Sequence, residues 1–166
     1  AEEMNDAFTN FNEKRMYIFS ELVRRYWNGN LNQAFDLEEL AREIKEKFGF
    51  GENEIPFVKD HIRLAMGLSP NGGGRFEEEL EMMRGREIGK PIVSKVEGPC
   101  ELCGKRQCRC DTLGKYESPI YLRNGSAESG EADCVGCGFC IDGCDFGALA
   151  EKIEFLPVIE LLRQKD

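Results

Sequence analysis

The first 99 residues of this 166-residue chain contain no cysteine, although the whole chain has eight. The whole chain has a single histidine, His61. One histidine without a recognisable motif around it gives no Ser-His-Asp constellation, so the sequence predicts no catalytic residues. We therefore expect a non-catalytic protein or subunit whose chemistry depends on the cysteines that follow residue 99.

Long apolar runs are also missing. No stretch approaches the roughly 20 apolar residues that a membrane-spanning helix needs. The N-terminus lacks the basic start and apolar run of a secretory signal. We therefore expect a cytoplasmic protein without membrane insertion, in which the cysteines bind metal. Four disulfides in a secreted protein are the alternative interpretation of eight cysteines.

Basic residues are fewer than acidic ones. The chain has 22 lysines and arginines against 31 aspartates and glutamates, which gives a formal net charge of −9. An acidic surface disfavours nucleic acid and anionic membranes as partners. The same charge suits docking on a basic face of a redox protein or of other oxidoreductase subunits.

The cysteine-free half has the apolar periodicity of three amphipathic helices. Asp36 and Glu39 have the spacing of a capping box at the start of the second helix, and Gly49 is expected to end it. Pro56 suits the first turn of the third helix. Residues 1–70 are therefore predicted to form a small helical bundle domain, and residues 1–68 are expected to fold without metal. The three predicted helices are 6–27, 36–48 and 56–68.

These three helices are similar in length and spacing to a helix-turn-helix or winged-helix module. A helix that reads DNA needs clustered lysines and arginines on one face. Here the only basic-aromatic cluster is Arg24 and Arg25, followed by Tyr26 and Trp27, and amphipathic helices often end this way. We therefore favour a bundle that packs on the cysteine-rich half or on a partner subunit. His61 has no cysteine or second histidine near it in sequence, so we predict a structural or surface role rather than metal ligation.

Residues 71–90 are predicted to be a linker with one short helix, which carries Phe76, Leu80 and Met83 on one side. The three glycines at 72–74 lack the other residues of a phosphate-binding loop and are interpreted as a hinge. Alternating or β-branched stretches predict two short strands, and Pro157 suits the first turn of a last helix. The predicted strands are 90–96 and 118–123, and the predicted last helix is 152–164.

The most informative stretch is 134–144, in which four cysteines are separated by two, two and three residues. This C-x2-C-x2-C-x3-C spacing is the ligand run of bacterial [4Fe-4S] ferredoxins. Gly136 and Gly138 suit a backbone that curls closely around a cluster. The ligands predicted in this run are Cys134, Cys137, Cys140 and Cys144.

Residues 133–149 closely resemble the bacterial-type two-cluster ferredoxin family, including the Cys-Asp-Phe-Gly-Ala-Leu that begins with the last cysteine. Asp145 stands where the family usually has proline, which changes the local turn without removing a ligand. The resemblance covers about residues 91–150. It implies a ferredoxin-like domain over 91–166 with two [4Fe-4S] clusters and short antiparallel strands, so the expected fold class is α+β.

The first cysteine group is less regular. Cys100, Cys103 and Cys110 occupy the first, second and fourth positions of the ferredoxin spacing, but position 106 is Arg106 and the third thiol is Cys108. These four thiols either bind a second [4Fe-4S] cluster or close a tetrahedral zinc site. The cofactors are accordingly two [4Fe-4S] clusters or, as the alternative, one [4Fe-4S] cluster and one zinc ion.

The ferredoxin resemblance also implies a ligand assignment, because in that family the fourth cysteine of each run joins the first three of the other. It further implies single-electron transfer, as a ferredoxin-like subunit of a larger oxidoreductase. The alternatives are an iron-sulfur redox sensor whose helical domain binds a partner or DNA, and a one-cluster protein with structural zinc. The implied sets are Cys134, Cys137, Cys140 with Cys110, and Cys100, Cys103, Cys108 with Cys144.

Overall fold

Most of the described chain is helical. The structure, a computed structural model, describes residues 7–68, 70, 75–85, 93–96, 141, 144, 146–153 and 155–164, with the backbone alone at 93–95. The described part contains five helices of eight residues or more and one pair of short strands. These are α1 (Phe11–Trp27), α2 (Ala34–Phe48), α3 (Ile55–Ala65), α4 (Phe76–Arg84), β1 (Val93–Lys95), β2 (Leu149–Glu151) and α5 (Leu156–Arg163).

The start of α2 differs from the prediction. The N-cap residue is Gln33, not Asp36. Asp36 is the third residue of the helix, and its carboxylate accepts hydrogen bonds from the backbone N–H groups of Asn32 and Gln33, at 2.8 and 3.1 Å, which is the N3 half of a capping box. The predicted Asp36–Glu39 capping box was therefore wrong. A carboxylate one turn inside a helix can reach back to amides that have no intrahelical acceptor. Gly49 ends α2 with a φ of 79°, as predicted.

The end of α3 also differs from the prediction. Pro56 lies in the first turn, as expected. The helix ends at Ala65, however, three residues before the predicted end. Gly67 adopts a φ of 83°, and the N–H of Leu68 donates to the carbonyl of Arg63 at 2.9 Å. This left-handed glycine closes the last turn and reverses the chain before Leu68.

The helices share one apolar core with residues near the C-terminus. Leu22 of α1, Leu40 of α2 and Ile62 of α3 are each at most 1 % exposed. The same cluster includes the predicted stripe of α4 and the inner face of α5. The predicted domain boundaries stay a prediction, but described residues from all three predicted segments contribute to this core. Those from α4 and from the C-terminal part are Phe76, Leu80, Met83, Ala150, Phe155, Leu156 and Ile159.

The two strands form one antiparallel pair, in which Val93 lies opposite Glu151 and Lys95 opposite Leu149. β1 falls inside the predicted strand at 90–96, whereas β2 was not predicted. The other predicted strand, 118–123, lies outside the described residues. Helices together with short antiparallel strands are thus the part of the predicted α+β class that the structure shows.

α5 is shorter than the predicted helix at 152–164, with Pro157 in its first turn as expected. Leu156 and Ile159 are buried, but Leu162 is 52 % exposed. Within the described residues, no helix combines the length and apolar character needed to cross a membrane.

Candidate metal centre

Cys144 is the one predicted ligand that falls within the described residues. The described part of the chain contains no group of three or more histidine, cysteine or acidic side chains arranged to hold a metal ion. The choice between a second cluster and zinc for the first cysteine group therefore stays a prediction. The predicted ligands that lie outside the described residues are Cys100, Cys103, Cys108, Cys110, Cys134, Cys137 and Cys140.

Cys144 is buried in an apolar pocket. It is 4 % exposed and clusters with Ile141, Ala148 and Leu149, with Phe146 packed alongside. The backbone N–H of Cys144 donates to the carbonyl of Ile141, three residues earlier in the chain, at 3.0 Å. An apolar shell around sulfur restricts solvent access and thereby influences the redox potential of an iron-sulfur cluster. This thiol and its surroundings therefore fit a cluster ligand.

Helix α1 contacts the segment before Cys144. The side-chain N–H of Asn12 donates to the carbonyl of Ile141 at 3.3 Å, although the two residues are 129 positions apart. Asn12 lies in the first turn of α1, directly after the fully buried Phe11. Because Phe11 fixes this turn in the core, the Asn12 amide has a fixed position from which to bind the cysteine segment.

Helix α3 contacts the segment after Cys144. The Nε2 atom of His61 lies 2.6 Å from the carbonyl oxygen of Gly147. A carbonyl oxygen can only accept, so Nε2 carries the hydrogen in this contact. His61 is 2 % exposed, and its burial lowers the pKa of the imidazole to about 3, although the hydrogen bond to Gly147 opposes that shift. The imidazole is therefore neutral near pH 7 and acts as a backbone hydrogen-bond donor.

Two phenylalanine rings determine which residue can occupy position 147. The ring centroids of Phe11 and Phe57 lie 4.4 and 4.7 Å from that of His61. Gly147 has a φ of 79°, and a methyl group there would lie 2.7 Å from the Phe11 ring and 2.9 Å from the Phe57 ring. Glycine is required both for this backbone conformation and for the close approach of the chain to the rings.

Two further backbone hydrogen bonds hold the same segment. The N–H of Val96 donates to the carbonyl of Ala148 at 2.8 Å, and the N–H of Ile153 donates to the carbonyl of Leu64 in α3 at 3.0 Å. The chain that follows Cys144 is thus bound to a helix as well as to a strand. This arrangement can hold the Cys144 sulfur in a fixed position away from water, which suits a cluster ligand.

The sequence pattern identified Cys144 but not the residues that hold it. His61 was expected to be structural or at the surface, and the structure places it in the core. Nothing in the spacing indicated a contact of Asn12 or His61 with the cysteine run, because the partners are 129 and 86 positions away. The one available signal was Gly147 itself, a glycine that follows the last cysteine by three residues.

Comparison of the chain with models of known protein families, with curated proteins and with solved structures found no match. The cysteine spacing and the geometry around Cys144 are what indicate the chemistry of this site.

Proposed function

We propose that this protein transfers electrons with two [4Fe-4S] clusters, as a ferredoxin-like subunit of a larger oxidoreductase. The observation that carries the proposal is the position of Cys144. This last thiol of a C-x2-C-x2-C-x3-C run lies in an apolar pocket, and the backbone on both sides of it is bound to the helical core. A [4Fe-4S] cluster, when bound, accepts and releases one electron at a time.

The proposed ligands are the eight cysteines, and the cysteine-rich part from residue 91 onward is proposed to have the ferredoxin-like fold. Following the ferredoxin resemblance, the fourth cysteine of each run serves the cluster of the other run. The two proposed ligand sets are Cys134, Cys137, Cys140 with Cys110, and Cys100, Cys103, Cys108 with Cys144.

The other residues of this chain would shield the Cys144 sulfur from water, hold the backbone around it and steer the protein to its redox partner. Ile141, Ala148 and Leu149 keep water away from the Cys144 sulfur, and water access is one of the factors that set a cluster's potential. The helical core keeps the backbone on both sides of Cys144 in place. The net charge of −9 would steer the protein to a basic face of its redox partner, where opposite potentials accelerate encounter.

Metal content is the direct test. After anaerobic purification we expect about eight irons, about eight sulfides and no zinc per chain, which is the content of two cubane clusters. About four irons with one zinc would contradict the second cluster, and a chain without iron would contradict the whole proposal. Titration with dithionite should then take up about two electrons per chain, one for each cluster. The reduced protein should return them to a one-electron acceptor.

The Cys144→Ala variant tests the residue that carries the proposal. We expect it to lose about half of the iron, because one of two clusters loses a ligand. Leu149→Ala is the matched control: it opens the same apolar pocket but removes no sulfur, so its iron content should stay that of the natural sequence. Full iron content in Cys144→Ala would exclude this cysteine as a ligand.

A redox sensor is the second candidate, favoured by the hydrogen bond between His61 and Gly147. This bond joins the cysteine run to α3, so a change at the cluster could reach the helices. Hydrogen exchange of the α3 amides in the oxidised and reduced protein would separate the two functions. A large change in exchange, together with no electron delivery to any acceptor, would favour the sensor.

A further inference from the structure

We propose that Asn12 and His61 are positioning residues for Cys144, so that the helical half of the chain sets the placement of one cluster ligand. The inference rests on the proposed function, since it concerns how an iron-sulfur ligand is held. It assigns to a cysteine-free helical unit a part in the metal site that no cysteine spacing indicates.

The backbone is hydrogen-bonded to a helix both before and after Cys144. Ile141 precedes the cysteine by three residues and Gly147 follows it by three. The carbonyl of Ile141 accepts from Asn12 of α1 at 3.3 Å, and the carbonyl of Gly147 accepts from His61 of α3 at 2.6 Å. The Ile141 carbonyl also accepts from the N–H of Cys144 itself. The two helices thus hold the backbone before and after the sulfur.

The anchors are rigid. His61 and Phe11 are 2 % and 0 % exposed, and their rings lie against each other in the core. Gly147 has little room to move toward the helices, because even a β-carbon at this position would lie 2.7 Å from the Phe11 ring and 2.9 Å from the Phe57 ring. Gly147 cannot move away from the helices without losing the hydrogen bond between its carbonyl and His61, and a buried carbonyl without a donor is costly. Gly147 is therefore held in one position.

Positioning of this kind has a measurable consequence for a metal site. Residues that hold a ligand without touching the metal typically change metal affinity about 10- to 100-fold when they are replaced. If the Gly147 carbonyl loses its donor, the segment can relax and admit water beside the Cys144 sulfur. Water access and hydrogen bonding near sulfur both change the redox potential of a cluster.

The experiment compares three variants of the full chain, purified anaerobically with their clusters. His61→Phe keeps an aromatic ring against Phe11 but removes the N–H. His61→Gln keeps an N–H donor near the position of Nε2. Leu40→Ala opens the core in α2, which is not one of the two helices that bond to Ile141 and Gly147, and serves as the control for a general loss of stability.

For each variant we would measure the thermal midpoint, the rate of iron release to a chelator, and the redox midpoint and EPR spectrum of the reduced clusters. We expect His61→Phe to release the iron of one cluster about tenfold faster, and to shift its midpoint and spectrum. His61→Gln should restore both. Leu40→Ala should lower the thermal midpoint and leave the EPR spectrum and redox midpoint unchanged.

Two outcomes would overturn the inference. In the first, His61→Phe has the EPR spectrum and the rate of iron release of the natural sequence. In the second, Leu40→Ala shows the same spectral change as His61→Phe. If His61→Phe does not fold, the test is made with Asn12→Ala. Asn12 is half-buried and holds the backbone that precedes Cys144. This variant should also shift the spectrum, and an unchanged spectrum there would overturn the inference. A natural-sequence chain without iron would instead refute the proposed function, so the two failures are distinguishable.

Discussion

The Tyr26 hydroxyl donates a 2.6 Å hydrogen bond to the carboxylate of Glu160, across 134 positions of the chain. The same hydroxyl accepts from the Nε atom of Arg84 at 2.9 Å, and Arg163 donates to the backbone carbonyl of Tyr26 at 2.7 Å. One buried tyrosine at the end of α1 therefore joins α4 and α5. Burial, followed by the bond to Glu160, raises the pKa of Tyr26.

Tyr26→Phe should destabilise the protein by about 1–2 kcal/mol, because it removes the 2.6 Å hydrogen bond to Glu160 and the acceptor of the Arg84 Nε–H group. Urea denaturation of the full chain would measure the loss. Tyr17→Phe is the matched control, since the Tyr17 ring is 36 % exposed and keeps its edge-on contact with Phe48 in the variant. Equal stability losses in the two variants would contradict the role assigned to the Tyr26 hydroxyl.

Gly147→Ala should destabilise the protein more than Gly49→Ala, although both glycines have a φ of 79°. A left-handed conformation costs a non-glycine residue about 1–3 kcal/mol at either position. Only at 147 would the new methyl group also overlap the Phe11 and Phe57 rings, whereas nothing lies within 4 Å of the one at 49. Parallel urea titrations would show the difference, and equal losses would mean that the rings move aside at little cost.

The neutral, buried His61 predicts a stability that falls in mild acid. In the unfolded chain the imidazole gains a proton below about pH 6.5, whereas in the folded chain its pKa is about 3. Protons therefore bind preferentially to the unfolded state between these values, and stability falls as the pH is lowered through that window. At pH 5 the loss should be about 2 kcal/mol relative to pH 7.

Urea unfolding at several pH values between 5 and 7.5, followed by the fluorescence of Trp27, would measure this dependence. His61→Gln is the control, because it keeps the carboxylates of the protein and removes the titrating ring. The difference in stability between the two proteins should change with pH in the stated direction. A pH-independent difference would show that His61 titrates normally in the folded chain.

Cys110→Ala separates cross-ligation from a zinc site. If Cys110 completes the cluster of the 134–144 run, its removal should change the EPR spectrum of that cluster and lower the iron content. If the first cysteine group binds zinc, the variant should lose zinc and leave the iron-sulfur spectrum intact. An unchanged iron-sulfur signal would therefore overturn the ligand assignment that the ferredoxin resemblance implies.

The segment 1–68, expressed alone, should be helical by circular dichroism without any metal, because it contains no cysteine and forms three amphipathic helices. It should also be less stable than the full chain, because Leu156 packs into the same core at 1 % exposure. Leu156→Ala in the full chain should cost about 2–5 kcal/mol. A random-coil spectrum of the segment would mean that these helices require the C-terminal residues.

The helices and the candidate ligands were predictable because they depend on local patterns. Apolar residues at steps of three and four predicted α1 to α4, and Gly49 and Pro56 marked an end and a start correctly. Local rules failed where two signals competed. Asp36 was assigned to a cap, yet its carboxylate also serves from inside the first turn, and Gly67 stopped α3 before Leu68.

The chain's order of residues by itself determined where helices form and which thiols have metal-ligand spacing, since both depend on neighbours within a few positions. Only the tertiary structure decided that His61 faces Gly147, that Asn12 reaches Ile141 and that Tyr26 binds Glu160. Each of these contacts joins residues more than 80 positions apart. Such pairings arise from the packing of one shared core, in which a buried donor must find an acceptor wherever the fold places one.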